Sequence, residues 1–127
     1  MPFQAAANHD NTEGLTTVTP QPRCVGIQYA ERRFSADNSA HDHGYARTDW
    51  LYDFMTPAQF DTQRSLLGLS DTTPSANATI QTIKNDHETF ANYNVTALDP
   101  RPGEEYEFDG GKYINVVWRF VGLEALA

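Results

Sequence analysis

One cysteine, Cys24, is all the chain contains, so no disulfide can form within it and its stability has to come from packing and hydrogen bonds. A lone cysteine of this kind is expected to act as a small apolar filler. Lysine is almost missing: Lys84 and Lys112 stand beside seven arginines. Basic groups are outnumbered 9 to 17, which leaves a formal net charge of -8. Such a surface repels phosphate and excludes nucleic-acid binding through a basic patch. Compositional drift accounts for the lysine-poor, acidic balance more simply than a salty environment does.

Long apolar runs are missing too. Nothing approaches the ~18 consecutive apolar residues of a membrane span. Residues 1–7 have no basic start and no apolar run, which predicts no secretory signal peptide. The chain has no Walker loop, no Gly-x-Gly-x-x-Gly and no Gly-x-Ser-x-Gly. These gaps lead us to expect no enzyme, with no catalytic residue, no cofactor and no resident metal.

What is present is a complete helix start. In Met55-Thr56-Pro57-Ala58-Gln59-Phe60, Thr56 is placed to cap, Pro57 to take the first helical position, and Gln59 to complete a capping box with Thr56. Met55 and Phe60 fall on the two staple positions, and Gly68 supplies the stop. The spacing predicts a helix over about 57–67, with Phe60, Gln63 or Arg64, and Leu67 on one stripe, and Asp61 as a first-turn acid facing the helix dipole.

Around the helix the pattern is that of strands. Val25, Ile27 and Tyr29 alternate with small or polar residues from Cys24 to Ala30, and the strand can continue to Phe34. Residues 35–44 read as a polar loop. From Tyr45 to Phe54, Trp50, Tyr52 and Phe54 share one face, expected to be core. Residues 70–77 read as loop, 78–84 as strand, 85–87 as turn, and 90–98 as the antiparallel partner, with Ala91, Tyr93, Val95 and Ala97 on its core face. A short strand over 106–108 and the turn Asp109-Gly110-Gly111 lead into Tyr113–Val121, apolar enough to be central or buried on both faces. The order β-β-α-β-β-β implies a mainly β domain over 24–127, a small antiparallel β-sandwich or partly open barrel with one flanking α-helix. Residues 1–23 lack periodicity and carry Pro20 and Pro22, so they are expected to form an extended or flexible N-terminal arm that contacts a neighbouring subunit.

Few residues carry site chemistry. His41 and His43, two apart, would point to the same side of a strand and could share a zinc ion with His87 or His9, although a solvated loop is the simpler reading. Glu104, Glu105, Glu107 and Asp109 offer oxygen ligands for calcium without the EF-hand pattern; a solvated loop or a patch facing an arginine-bearing partner explains them as well. Asn77 and Asn94 begin glycosylation sequons that we read as accidental. Asp49 and Asp53 share the strand face opposite the aromatics, where solubilising the sheet accounts for them.

The stretch Asp49-Trp50-Leu51-Tyr52-Asp53-Phe54-Met55-Thr56-Pro57-Ala58-Gln59-Phe60, followed by Phe90–Val95 ending in Asp99-Pro100 and by Asn115–Leu123, resembles the layout of small virion proteins of tailed viruses. The likeness spans about residues 45–123. It implies a structural subunit of a tailed-virus (bacteriophage-like) particle, most readily a tail protein (tube, tail-tip or completion), with a β-sandwich-plus-helix domain that assembles into rings. It implies copies of itself and other virion proteins as partners, and localisation in the virion, and it carries over no catalytic residue. A capsid decoration protein, with the N-terminal arm clamping the shell, is the alternative within this class. Outside it stands a small carbohydrate-binding module with exposed Trp50, Tyr52, Trp118 or Tyr113 stacking on sugar rings.

Overall fold

A computed structural model of the chain describes the backbone of residues 3–34 and 40–126, and the side chains within those ranges except at 25 and 30–45. The elements run β1 (Gln4–Ala7), β2 (Thr16–Thr17), β3 (Arg23–Phe34), β4 (Ala40–Met55), α1 (Pro57–Leu67), β5 (Ser75–Ile83), β6 (Phe90–Leu98), β7 (Glu107–Asp109) and β8 (Lys112–Ala125). All the strands join one antiparallel sheet in the order β2-β1-β5-β6-β8-β4-β3, with β7 paired to β8. The fold is mainly β with one helix, an open, curled sheet that forms a half-barrel.

The hollow of the curl is filled by aromatics. Trp50 on β4 lies directly opposite Trp118 on β8, and both are fully buried. Phe120 packs edge-on to Trp50, with centroids 4.7 Å apart, and Phe3 packs edge-on to Trp50 and Phe90. Along β8, Val116, Trp118 and Phe120 face inward while Val117, Arg119 and Val121 are half-buried. β8 is therefore central, as its composition predicts, but only one of its faces is fully buried.

The helix forms where its start signals lie. Thr56 accepts from the Gln59 N–H at 3.2 Å, and the Gln59 side chain accepts from the Thr56 N–H at 3.1 Å. Gly68 ends the helix at φ 77°, a left-handed conformation. Asp61 is the fifth helical residue, past the first turn, where no acid is found. The buried stripe is Phe60, Gln63 and Leu67. Phe60 stacks on Tyr113 at 4.3 Å and meets Trp118 and Tyr106, which lays α1 across one end of the half-barrel.

Other expectations need correction, among them the loop over 70–77, whose last three residues belong to β5. Residues 1–23 are not a free arm. β1 pairs with β5 along its whole length, Phe3, Ala5, Ala6 and Val18 are buried, and β2 lines up on the outer side of β1. Hydrogen bonds fasten the following turn: Asn94 accepts from the Asp10 N–H and donates to the Asp10 carboxylate, while Thr79 accepts from the Asn11 N–H and donates to the Asn8 carbonyl. His9 donates from Nε2 to the Val95 carbonyl at 2.9 Å. The expected loop 35–44 is also shorter: residues 40–44 belong to β4 and pair with β3, and 35–39 lie outside the described residues. Finally, Phe54 is 55% exposed instead of core. The β4–β8 register is unbroken there, Asn115 between the paired Val116 and Ile114 has a φ of 51°, and Met55 is the residue that is buried.

Candidate functional site

The curl closes at one end through side chains instead of strand pairing. Asn85, in the turn after β5, accepts from the Ile27 N–H at 2.6 Å and donates to the Ile27 carbonyl at 3.1 Å. Its amide thus does for Ile27 what a neighbouring strand would. Gly26 beside it has a φ of 104°, and a Cβ there would stand 2.3 Å from Asn85 Oδ1. Behind this clip, Trp50 donates to Thr82 Oγ1 at 3.0 Å and Thr48 donates to the Gly26 carbonyl at 2.8 Å. Cys24 Sγ lies 3.2 Å from Thr48 Oγ1 in the same network, so it is a half-buried member of a polar seam as well as a filler.

Away from the clip, the sheet has two free ends among the described residues. At one end is β3, twelve residues long, with β4 on one side only. β4 pairs with β8 from Arg47 to Met55, while the stretch of β4 before Arg47 pairs only with β3, in the continuous register Glu31↔His43 to Phe34↔Ala40. The hairpin therefore runs past the sheet as a two-stranded ribbon. At the other end is β2. Val18 donates to the Phe3 carbonyl, and β1 bonds to β5 at alternate residues, so Thr17 sits in a non-bonded pair with Gln4 and its N–H and C=O point away from the sheet.

Against that second edge lies a groove of about 380 Å³ between β2 and α1, lined by Thr16, Thr17, Val18, Thr19, Thr62, Gln63, Ser65 and Leu66. No charged side chain lines it. Gln63, 3% exposed, accepts from the Tyr52 hydroxyl at 3.1 Å and leaves Nε2 without a partner. Burial, opposed by the bond to Gln63, pushes the Tyr52 hydroxyl pKa well above the usual tyrosine range. Tyr52 is therefore a neutral donor, not a base.

A second polar cluster lies at the foot of α1. Arg64 binds both oxygens of Asp99 at 2.9 and 3.1 Å and Asp71 at 2.8 Å. Burial raises the Asp99 pKa against the pull of Arg64. A cavity of about 360 Å³ opens next to it, walled in part by Asp99, Arg101, Glu105 and Arg119. Arg119 Nε and Asp49 Oδ1 stand 3.9 Å apart across β8 and β4, each without a hydrogen-bond partner. Among the described residues the cluster sets Arg64, Arg101 and Arg119 against Asp49, Asp71, Asp99 and Glu105.

The residues singled out by sequence are scattered. The side chains of His41 and His43 lie outside the described ones. His9 is bound to β6, and His87 sits in the β5–β6 turn. Among the described residues, no three His, Cys, Asp or Glu side chains gather as a metal site would need. The acidic run is divided: Glu104 and Glu105 pair with Arg101, and Glu107 and Asp109 are exposed on β7. Asp53 pairs with Arg23 at 2.7 Å. Asn94 is buried in the bond to Asp10, closed to a glycan. Trp50, Trp118 and Tyr52 are core and Tyr113 is stacked on Phe60, so none of the four offers a free face to a sugar ring. Among the described residues no helix is long and apolar enough to cross a membrane.

Sequence reasoning missed Asn85, Gly26 and Thr17, and named Gln63 only as one alternative on the helix stripe. The first two act through a contact 58 residues apart, and the other two matter only because β2 folds back beside α1. No family model matches the chain, and neither the curated proteins nor the solved structures include a significant match.

Proposed function

We propose that this chain is a structural subunit that works by assembling with copies of itself, in the manner of a tail protein of a tailed-virus particle. The observation that carries the reading is the ribbon formed by the free end of β3 and the first part of β4. A two-stranded ribbon is marginal in water by itself, and an unpaired strand edge is a template for another chain. A ribbon that runs past its own sheet gains its order from a neighbour. The layout resemblance over residues 45–123 supports a tail position, and the net charge of -8 favours a surface along which nucleic acid passes without sticking. The charged side chains at the foot of α1 are engaged in ion pairs with one another, which fits a scaffold better than a catalyst.

The test is solution mass by light scattering on the full chain over a wide concentration range. A discrete multimer, or co-assembly with other virion proteins, is the expected result. A monomer at every concentration and with every such partner overturns the reading.

A further inference from the structure

We infer that the groove between β2 and α1 is the docking site for the free edge of β3 of a second copy, which adds a strand at Thr17. The inference rests on the assembly reading above and names its interface. A curled sheet whose two ends are both open joins head to tail, and such heterologous contacts close into rings when the rotation permits.

Three features fit the two surfaces together. The first is backbone: Thr17 presents an N–H and a C=O outward from the sheet, as strand addition requires. The second is charge. The groove is uncharged inside and is bordered along the chain by the exposed acids Glu13 and Asp61, and the nearest helix arginine, Arg64, is tied to Asp71 and Asp99. The part of β3 open to a neighbour, Glu31–Phe34, carries Arg32 and Arg33 against one acid, Glu31, on a chain of net charge -8. A strand end of that charge suits a groove whose flanking chain carries acids. The third is room: the groove beside Thr17 has a volume of about 380 Å³, with no charged side chain in its wall.

On the donor strand, the part available is Glu31–Phe34. Asn85 already occupies the edge at Ile27, and the pairing with β4 is irregular between Tyr29 and Glu31. From Glu31 onward the strand is regular and its outer side is unfilled among the described residues.

The experiment is disulfide trapping between full-length variants, both carrying Cys24→Ser. One has Thr16→Cys on β2 and the other Arg32→Cys on β3. Oxidation of the mixture is expected to give a linked dimer of the two different variants, and adding Thr17→Pro to the first is expected to reduce the yield at least tenfold. Proline deletes the outward N–H while leaving the β1 bonds in place. A multimer by light scattering that gives no mixed disulfide overturns this interface and leaves the assembly reading standing. A monomer at every concentration, alone and with other virion proteins, with no mixed disulfide overturns both.

Discussion

The side-chain amide of Asn85 pairs with both backbone groups of Ile27, and Gly26 is the residue that lets it come close. Asn85→Ala removes two exposed hydrogen bonds at once, and a loss of about 1 kcal/mol is expected. Gly26→Ala should cost more, about 1–3 kcal/mol, because it forces both a left-handed alanine and a clash with Oδ1. The two changes touch the same atoms and should not add: in the double variant the clash is gone, so its loss falls short of the sum. Urea unfolding of the four proteins measures this. Additive losses would mean that the clip and the glycine act independently.

The helix start gives a second prediction. Thr56→Ala removes one arm of the capping box and should lower stability by about 1 kcal/mol, while Thr56→Ser, which keeps the acceptor, should stay close to the parent. Gly68→Ala should cost a similar amount by putting a Cβ at φ 77°. Thermal or urea midpoints decide it. Equal midpoints for Thr56→Ala and Thr56→Ser would show that the cap contributes nothing here.

The contrast between these two sites explains how much could be read from sequence. The cap is local: Thr56, Gln59 and Gly68 lie within one helix length, so spacing alone reveals them. The hairpins of β5 with β6 and β7 with β8 are legible for the same reason, and Gly110 and Gly111 both take the positive φ their two-residue turn demands. β1 is different. Gln4-Ala5-Ala6-Ala7 shows no apolar alternation, yet small residues are what the site needs, because α1 ends directly above it: a Cβ at Gly68 would lie 3.7 Å from that of Ala7. Phe54 fails in the opposite sense. Its strand alternates faithfully in sequence, but burial changes phase between Phe54 and Met55, beside the stretch of β8 where Asn115 is left-handed. The edges at Thr17 and β3 arise from strand order alone, which no window of sequence contains.

Acid should loosen the β5–β6 turn. Hydrogen bonds from the Thr89 hydroxyl and N–H and the Glu88 N–H hold the Asp86 carboxyl down from 3.8 to about 2. Its folded pKa is below its unfolded one, so the unfolded chain binds the extra proton first as pH falls. The contribution is therefore complete above about pH 4 and is lost as the pH drops toward 2. Asp86→Asn should flatten the pH dependence of the unfolding midpoint in that window and leave the shape above pH 5 unchanged. An identical slope in both proteins between pH 4 and 2 would assign the acid sensitivity elsewhere.

The N-terminal segment gives the last prediction. A free arm could be cut away or enlarged with no effect on the fold. Here Ala5 is fully buried between β2 and β5, opposite Thr16 and Ile80. Ala5→Leu has to force extra carbons into that space, and a loss of about 1–3 kcal/mol is expected. Deleting residues 1–23 goes further: it uncovers Trp50 and Phe90 where Phe3 packs, frees the β5 edge, and leaves Thr79 and Asn94 without the partners that the 8–11 turn supplies. The shortened chain should lose its near-ultraviolet dichroism and its cooperative unfolding transition, not merely its ability to associate. A truncated protein that still unfolds cooperatively near the parent midpoint would make the segment an accessory, and Ala5→Leu would then be silent as well.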